Sequence, residues 1–373
     1  MINNLQLKAL ELVQEVAFSP KNIEKVSELT APEAARWAFT QKRLRKKGTS
    51  KFSQANKMFF TQEALEQASH EQVADYHTSL FPAEETVADL TCSIGADLIA
   101  LAKRGAAIGY DLDPERIEYA KHNLEIHGLD VDVIHQDCLE SGFCFDYAFV
   151  DPARRIGGRR TLDLTQFSPD PRLLAKHFES LKLGVIKLSP MLSDENLQSL
   201  GQSVQFLSHS GECKEALILA GSLAKKEPYS AVHIESGETI FSIDDNLNKQ
   251  ERPFKYIYEA DPAAIRAHTL GTLCSRYSLT NLGNSNGYLT SEHIVDSVWL
   301  TGFEVVWDGS FHLKKIRKVL RELGGRIEVI KVRGPKIRPE DLIKKFSDLP
   351  GSALTLLLYQ QNRQVLASIA KKV

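Results

Sequence analysis

The segment Thr86-Val-Ala-Asp-Leu-Thr-Cys-Ser-Ile-Gly95-Ala-Asp97 decides the reading of this chain. Its first residues form an apolar, β-prone run, and from Ala96 the text turns to helix formers through Lys103. A strand that passes through a tight turn of small residues into a helix presents backbone amides and a helix N-terminus to a ligand. The next apolar run ends in Gly109-Tyr-Asp111-Leu-Asp113-Pro114 and places a carboxylate about 18 residues after the turn, where dinucleotide-type folds keep the acid that accepts from two ribose hydroxyls. A third run ends in His135-Gln-Asp137-Cys138, where an acid can accept from an adenine amino group. A nicotinamide dehydrogenase is the competing reading, but Leu90–Leu98 has only Gly95 and no G-x-G-x-x-G.

Outward from this segment the alternation continues. Short β-rich runs lie at Thr86–Leu90, Ala106–Tyr110, Val131–His135, Tyr147–Val150, Leu183–Leu188, Val204–Leu207 and Ala216–Ala220. Helical pattern fills Ala96–Lys103, Pro114–His127, Pro171–Leu181 and Ser193–Leu200. This predicts a doubly wound α/β sheet with its ligand at the C-terminal strand ends. Residues 1–80 read as helices, with Thr61 as an N-cap before Gln-Glu-Ala-Leu-Glu-Gln. The stretch 223–300 reads as an irregular connection, and 301–373 as a small α/β domain with helices at Phe311–Leu323 and Pro339–Phe346. Strands are expected there at Arg326–Val332, Ala353–Tyr359 and Val365–Ile369.

With 373 residues, several domains are expected, and 43% hydrophobic with 25% charged residues is a globular composition. Nothing reaches eighteen consecutive apolar residues and the N-terminus lacks a signal pattern, so a cytoplasmic protein without a membrane partner is expected. The five cysteines, Cys92, Cys138, Cys144, Cys213 and Cys274, are odd in number and scattered; neither a disulfide framework nor a metal site is expected.

Asp89-Leu-Thr-Cys-Ser-Ile-Gly95, Gly109-Tyr-Asp-Leu-Asp-Pro114 and Val150-Asp-Pro-Ala-Arg154 resemble motifs I, II and IV of class I S-adenosylmethionine-dependent methyltransferases. The resemblance implies S-adenosylmethionine as cofactor, with Asp89, Ser93, Gly95 and Asp97 around its methionine end, Asp111 and Leu112 at the ribose, and Asp137 with Cys138 at the adenine. Ser93 stands where that pattern usually has glycine. More narrowly, Lys57-Met-Phe-Phe-Thr-Gln-Glu-Ala-Leu-Glu-Gln, Asp151-Pro-Ala-Arg-Arg and Ile330-Lys-Val-Arg-Gly resemble uncharacterised bacterial methyltransferases with a C-terminal THUMP-like domain. The fold this implies is a Rossmann-like seven-stranded methyltransferase domain over 81–222, a helical N-terminal region and a THUMP-like α/β domain.

On the substrate side, Asp151 and Pro152 fit the turn with which methyltransferases of exocyclic amines accept hydrogen bonds from the target nitrogen. Arg154 replaces the usual aromatic, so stacking falls to its guanidinium plane or to a residue such as Phe167. Uracil C5-methyltransferases carry a related Asp-Pro-Ala-Arg stretch but need a cysteine after the fifth strand. Here that place reads Ser189-Pro190, which favours N-methylation.

Two basic regions bear on the partner. Lys42–Lys57 contains Lys42, Arg43, Arg45, Lys46, Lys47, Lys51 and Lys57; the second runs from Lys314 to Arg338 and includes Arg317, Arg321, Lys331, Arg333 and Lys336. Net charge is −2, so the field is local rather than global. With Arg154, Arg155, Arg159 and Arg160 near the site and the THUMP-like resemblance, these regions favour structured RNA, tRNA or rRNA, as substrate. On this reading Arg155, Arg159, Arg160, Lys331 and Arg333 bind it. Two alternatives stay open: a small-molecule or protein methyltransferase, and a non-catalytic RNA-binding protein with a degenerate pocket. Oligomeric state is not legible.

Overall fold

The computed structural model describes residues 2–140, 145–153, 155–156, 159–227, 229–243, 247–284 and 287–373, those at 155–156 and 159–160 by their backbone only. Arg154 and Cys144 lie outside the described residues, as do the side chains of Arg155, Arg159 and Arg160. The chain divides into two compact units, Met1–Ser203 with Leu217–Lys226, and Val204–Ala216 with Glu227–Val373.

The first unit opens with five helices, α1 (Asn4–Leu12), α2 (Pro20–Leu29), α3 (Pro32–Gly48), α4 (Gln62–Gln67) and α5 (Glu71–Ser79). Asn3, Ser19 and Thr61 cap three of them by accepting from backbone N–H groups. The α/β succession follows: β1 (Val87–Asp89), α6 (Ala96–Arg104), β2 (Ala107–Asp111), α7 (Pro114–Ile126), β3 (Asp132–His135), β4 (Tyr147–Val150), α8 (Pro171–Phe178), β5 (Leu183–Leu188) and α9 (Asp194–Gln198). Its strands lie in the order β5-β4-β1-β2-β3, and every neighbouring pair is parallel. This is the doubly wound α/β arrangement the alternation predicts, with β1 central and the order reversing beside it. Val87, Ala88, Tyr147, Phe149, Val150, Val185 and Ile186 are buried, as strands covered on both faces require.

Two local facts shape the turn after β1. Gly95 and Ser93 both occupy left-handed backbone, with φ of 88° and 51°. Ser93 therefore holds the conformation that glycine adopts without strain, and the turn keeps its tightness. On β2, a Cβ at Gly109 would lie 2.5 Å from Leu98 Cδ2 and 3.1 Å from Cys92 Sγ, so the strand needs glycine to let the turn and α6 pack down.

In the second unit, strand Leu300–Ser310 pairs antiparallel with both Tyr256–Ala260 and Gln364–Lys372, while Gly325–Arg333 runs parallel to Ser352–Gln361. Leu356 and Leu358 face one core with Ile316 and Leu320 of helix Leu313–Leu323; Leu357 and Tyr359 face another with Ile257 and Phe303. That period of two makes an unbroken apolar run a strand buried on both faces. The stretch 223–300, read as irregular, instead carries strands Ser230–His233, Glu238–Phe241, Tyr256–Ala260, Thr280–Leu282 and Tyr288–Ser291 and helices Pro262–Arg266 and Leu270–Tyr277. Elements this short fall below the window in which periodicity is readable; they exist through their pairing. Among the described residues, no helix is long and apolar enough to cross a membrane.

Candidate active site

The carboxylates singled out by the sequence converge on the C-terminal edge of the parallel sheet. Asp89 ends β1 at 2% exposure, and its Oδ1 accepts from the Thr91 amide at 3.2 Å. Burial pushes this carboxyl well above the usual range, and the charges of Asp97, Asp111 and Asp151 push it further. Asp111 ends β2 and braces the turn: its Oδ2 accepts from the Ser93 amide and its Oδ1 from the Asp113 amide, both at 2.8 Å. Asp113 in turn caps α7 by accepting from the Glu115 amide. Leu112 is exposed beside it, its carbonyl paired with His135 Nε2. Beyond β3, Asp137 accepts from the Leu139 amide at 2.9 Å, and Cys138 is buried, its thiol pushed up to about 12 by burial and Asp137.

The turn is held from behind as well. Asn123 of α7, fully buried, donates to the carbonyls of Ile94 and Phe59 and accepts from the Phe59 amide. The Met58-Phe-Phe segment is thereby tied to the turn.

On the neighbouring strand, the Asp151 amide donates to Thr91 Oγ1 at 2.8 Å, and Asp151 Oδ2 accepts from Lys187 Nζ of β5 at 2.8 Å. Pro152 is buried; Ala153 exchanges two backbone hydrogen bonds with Ser168, which fixes the chain leaving the turn. Phe167, considered as a stacking surface, is 5% exposed and forms part of the core. Arg155–Ile156 and Arg159–Arg160 pair as a two-stranded antiparallel ribbon.

Asp97 has both oxygens engaged within the protein: His77 Nδ1 lies 2.7 Å from Oδ1, and Ser69 Oγ donates to Oδ2 at 2.9 Å. Burial would push its carboxyl up, but His77, Lys187 and Ser69 prevail and hold it below the usual range. Ser69, His77 and Lys187 were not singled out from the sequence. Lys187 did leave a signal, a lysine inside the otherwise apolar run Leu183-Gly-Val-Ile-Lys-Leu188 of a two-sided strand. Ser69 and His77 left none, because only tertiary packing brings them to Asp97.

Part of each basic region is committed within the protein, while Arg43, Lys46, Lys47 and Lys57 of the first stay exposed. Lys42 Nζ donates to the carbonyls of Val13, Gln14 and Val16 after α1, and Lys51 Nζ to those of Leu65, Glu66 and Ala68 at the end of α4. Arg45 donates to the Met58 and Lys57 carbonyls and lies over the Phe59 ring. These three cations close backbone ends rather than face solvent. In the second unit, Lys331 and Arg333 both pair with Glu259 and Arg317 pairs with Asp348, whereas Lys314, Arg321 and Lys336 are exposed and form no ion pair among the described residues.

No family model matches the chain. An uncharacterised S-adenosylmethionine-dependent methyltransferase of Mycobacterium tuberculosis, found alike in two strains, is 31% identical over 327 residues, spanning 84% of this chain and 89% of its own. The chain belongs to the S-adenosylmethionine-dependent methyltransferases. A solved structure from Porphyromonas gingivalis W83, named provisionally as a methyltransferase, has the same fold, with a TM-score of 0.83 at 22% identity over 100% of this chain and 98% of that one. The methyltransferase therefore uses S-adenosylmethionine. The donor set fits such a cofactor: an ammonium and a sulfonium are both cations, and the strand ends gather Asp89, Asp111 and Asp151, with the Asp89 carboxyl held high by burial and by its neighbouring carboxylates.

Proposed function

We propose that this methyltransferase holds S-adenosylmethionine over the ends of β1 to β3 and methylates a nitrogen of a base in structured RNA, tRNA or rRNA, in the cytoplasm. Asp89, Ser93 and Gly95 would border the methionine end, Asp111 and Leu112 the ribose, and Asp137 and Cys138 the adenine. When bound, the cofactor supplies a methyl group on a good leaving group, so the remaining task is to align the acceptor.

The observation that carries the reading is Asp151, whose backbone is pinned by Thr91 and whose carboxylate is pinned by Lys187 one strand away from Asp89. A carboxylate so placed accepts N–H hydrogen bonds from an exocyclic amine, and these bonds strengthen as positive charge develops on nitrogen. The C5 alternative needs a thiolate, and Cys92, Cys138 and Cys213 all have their thiols pushed up by burial. Arg154, Arg155, Arg159 and Arg160 would then meet phosphates beside the acceptor, and 301–373, THUMP-like by resemblance, would dock the RNA through Lys314, Arg321 and Lys336.

A small-molecule or protein acceptor gains from the structural use of Lys42, Arg45 and Lys51 and from the pairing of Lys331 and Arg333 with Glu259. Two measurements separate the readings. Mass spectrometry of nucleosides from cells with and without the protein should show one methylated base missing. Binding of bulk tRNA should fall steeply with salt, and exchanging Lys314, Arg321 and Lys336 for glutamate should make the slope of log K against log salt shallower by about 2–3. Unchanged nucleosides with salt-insensitive binding would leave the smaller acceptor.

A further inference from the structure

Asp151 and Asp97 are linked by a continuous run of polar contacts through the interior of the first unit. Lys187 Nζ donates to Asp151 Oδ2 at 2.8 Å and to Ser69 Oγ at 3.0 Å; Ser69 Oγ donates onward to Asp97 Oδ2 at 2.9 Å, and Asp97 Oδ1 meets His77 Nδ1 at 2.7 Å. The Ser69 hydroxyl uses its single proton toward the carboxylate and a lone pair toward the ammonium, so the direction of the chain is fixed. His77 is 1% exposed and stacked on Phe149 of β4, with ring centroids 4.9 Å apart, and the Lys187 side chain is 11% exposed. The five residues come from the 68–70 turn, α5, α6, the turn after β4, and β5, so no single element could supply them.

An ammonium buried on a strand of the parallel sheet is desolvated, and such a charge persists only with a partner. Here its closest carboxylate is the one at the acceptor turn. Asp97 belongs to the first turn of α6, directly after Gly95 and Ala96 of the cofactor turn. One lysine therefore ties the acceptor turn to the cofactor turn, with the α4–α5 region as the bracket.

We propose that Lys187 is a positioning residue for methyl transfer: it keeps the Asp151 carboxylate ionised and in one orientation, and through Ser69 and Asp97 it registers that carboxylate against the cofactor turn. The inference rests on the reading of Asp151 as the acid that meets the acceptor. Lysine at this place does what a neutral residue of the same length cannot, because a carboxylate that loses its cation beside Asp89 and Asp97 is left among like charges.

The test has two arms. In the first, the NH3+ signals of 15N-labelled lysine are recorded on the intact protein without substrate. The signal assigned by its absence in Lys187→Arg should be sharp and slow to exchange in the wild type and should broaden or vanish in Asp151→Asn. In the second, tritiated methyl transfer from S-adenosylmethionine to bulk RNA from cells lacking the protein is measured in single turnover. Lys187→Met should lose about 10²–10³-fold in rate with S-adenosylmethionine affinity kept within threefold, and Lys187→Arg should regain much of the rate. A Lys187 signal indifferent to Asp151→Asn, or wild-type transfer by Lys187→Met when Asp151→Asn is impaired, would overturn the proposal. Should Lys187→Met fail to fold, Lys187→Arg and the spectra of Asp151→Asn still decide it. Wild-type transfer by Asp151→Asn would instead remove the reading of Asp151, whatever the lysine signal does.

Discussion

Replacing Asp111 separates the brace of the cofactor turn from everything else in the site. Its two oxygens accept from the Ser93 and Asp113 amides, both at 2.8 Å, and a carboxylate retains further lone pairs for two ribose hydroxyls. Hydrogen bonds to a charged acceptor contribute about 1.5–3 kcal/mol each. Asp111→Ala removes both backbone bonds and, on the proposed placement of the cofactor, both ribose bonds. Water replaces part of this at a half-buried site, so the low end applies to folding and the turn survives in a looser form. Cofactor binding has no such substitute for the ribose contacts, and a loss of one or two of them corresponds to about ten- to a hundredfold weaker affinity or more. Asp111→Asn should fall between, because an amide keeps one acceptor oxygen and turns its NH2 toward one of the two backbone donors. Calorimetric titration of S-adenosylmethionine into the three proteins measures this directly. Equal affinities would refute the placement of the ribose at Asp111.

Asp89 has its folded-state carboxyl raised by burial and by Asp97, Asp111 and Asp151, so its contribution to stability is complete below the unfolded value and is lost as pH rises through the folded one. Asp89→Asn, which stays neutral, should therefore raise the melting temperature of the cofactor-free protein at neutral pH while abolishing the further rise that S-adenosylmethionine gives; a lowered melting temperature contradicts this sign. By the same logic, S-adenosylmethionine affinity of the wild type should weaken as pH falls, because a cationic ligand needs Asp89 ionised. At Ser93, glycine should leave S-adenosylmethionine affinity within threefold, since the backbone amide and not the hydroxyl braces Asp111, whereas Ser93→Val, β-branched at a φ of 51°, should cost about 1–2 kcal/mol in denaturant unfolding. A valine as stable as serine would mean that the turn does not hold this conformation.

The parallel sheet was legible because its strands fall in short apolar runs and because α7 and α8 open at a readable cap and proline, Asp113-Pro114 and Asp170-Pro171. The acids were legible for the same reason, since a residue directly after a strand of a parallel sheet stands at its ligand edge. What decides the site from behind was not. Ser69, His77 and Asn123 act through contacts 28, 20 and 64 residues away in the chain, to Asp97 and Phe59, and no local pattern encodes such distances. Charge was the most misleading signal. Lys42, Arg45 and Lys51 form part of a basic tract in the text, yet each is committed to carbonyl groups that only the folded helices bring together. Lys331 and Arg333 lose their apparent surplus charge to Glu259, 72 and 74 residues earlier. Phe167 reads as a displayed aromatic, but the pairing of Ala153 with Ser168 draws that segment inward.

The placement of cofactor and acceptor is tested most directly by a crystal structure of the wild-type protein with S-adenosylhomocysteine. The ribose hydroxyls should lie within hydrogen-bond distance of Asp111, the amino group of the homocysteine should lie near Asp89, and the sulfur should face the side of the turn that carries Asp151. A ligand bound elsewhere, or one whose sulfur faces away from Asp151, would contradict the assignment of these strand ends as the methyl-transfer site.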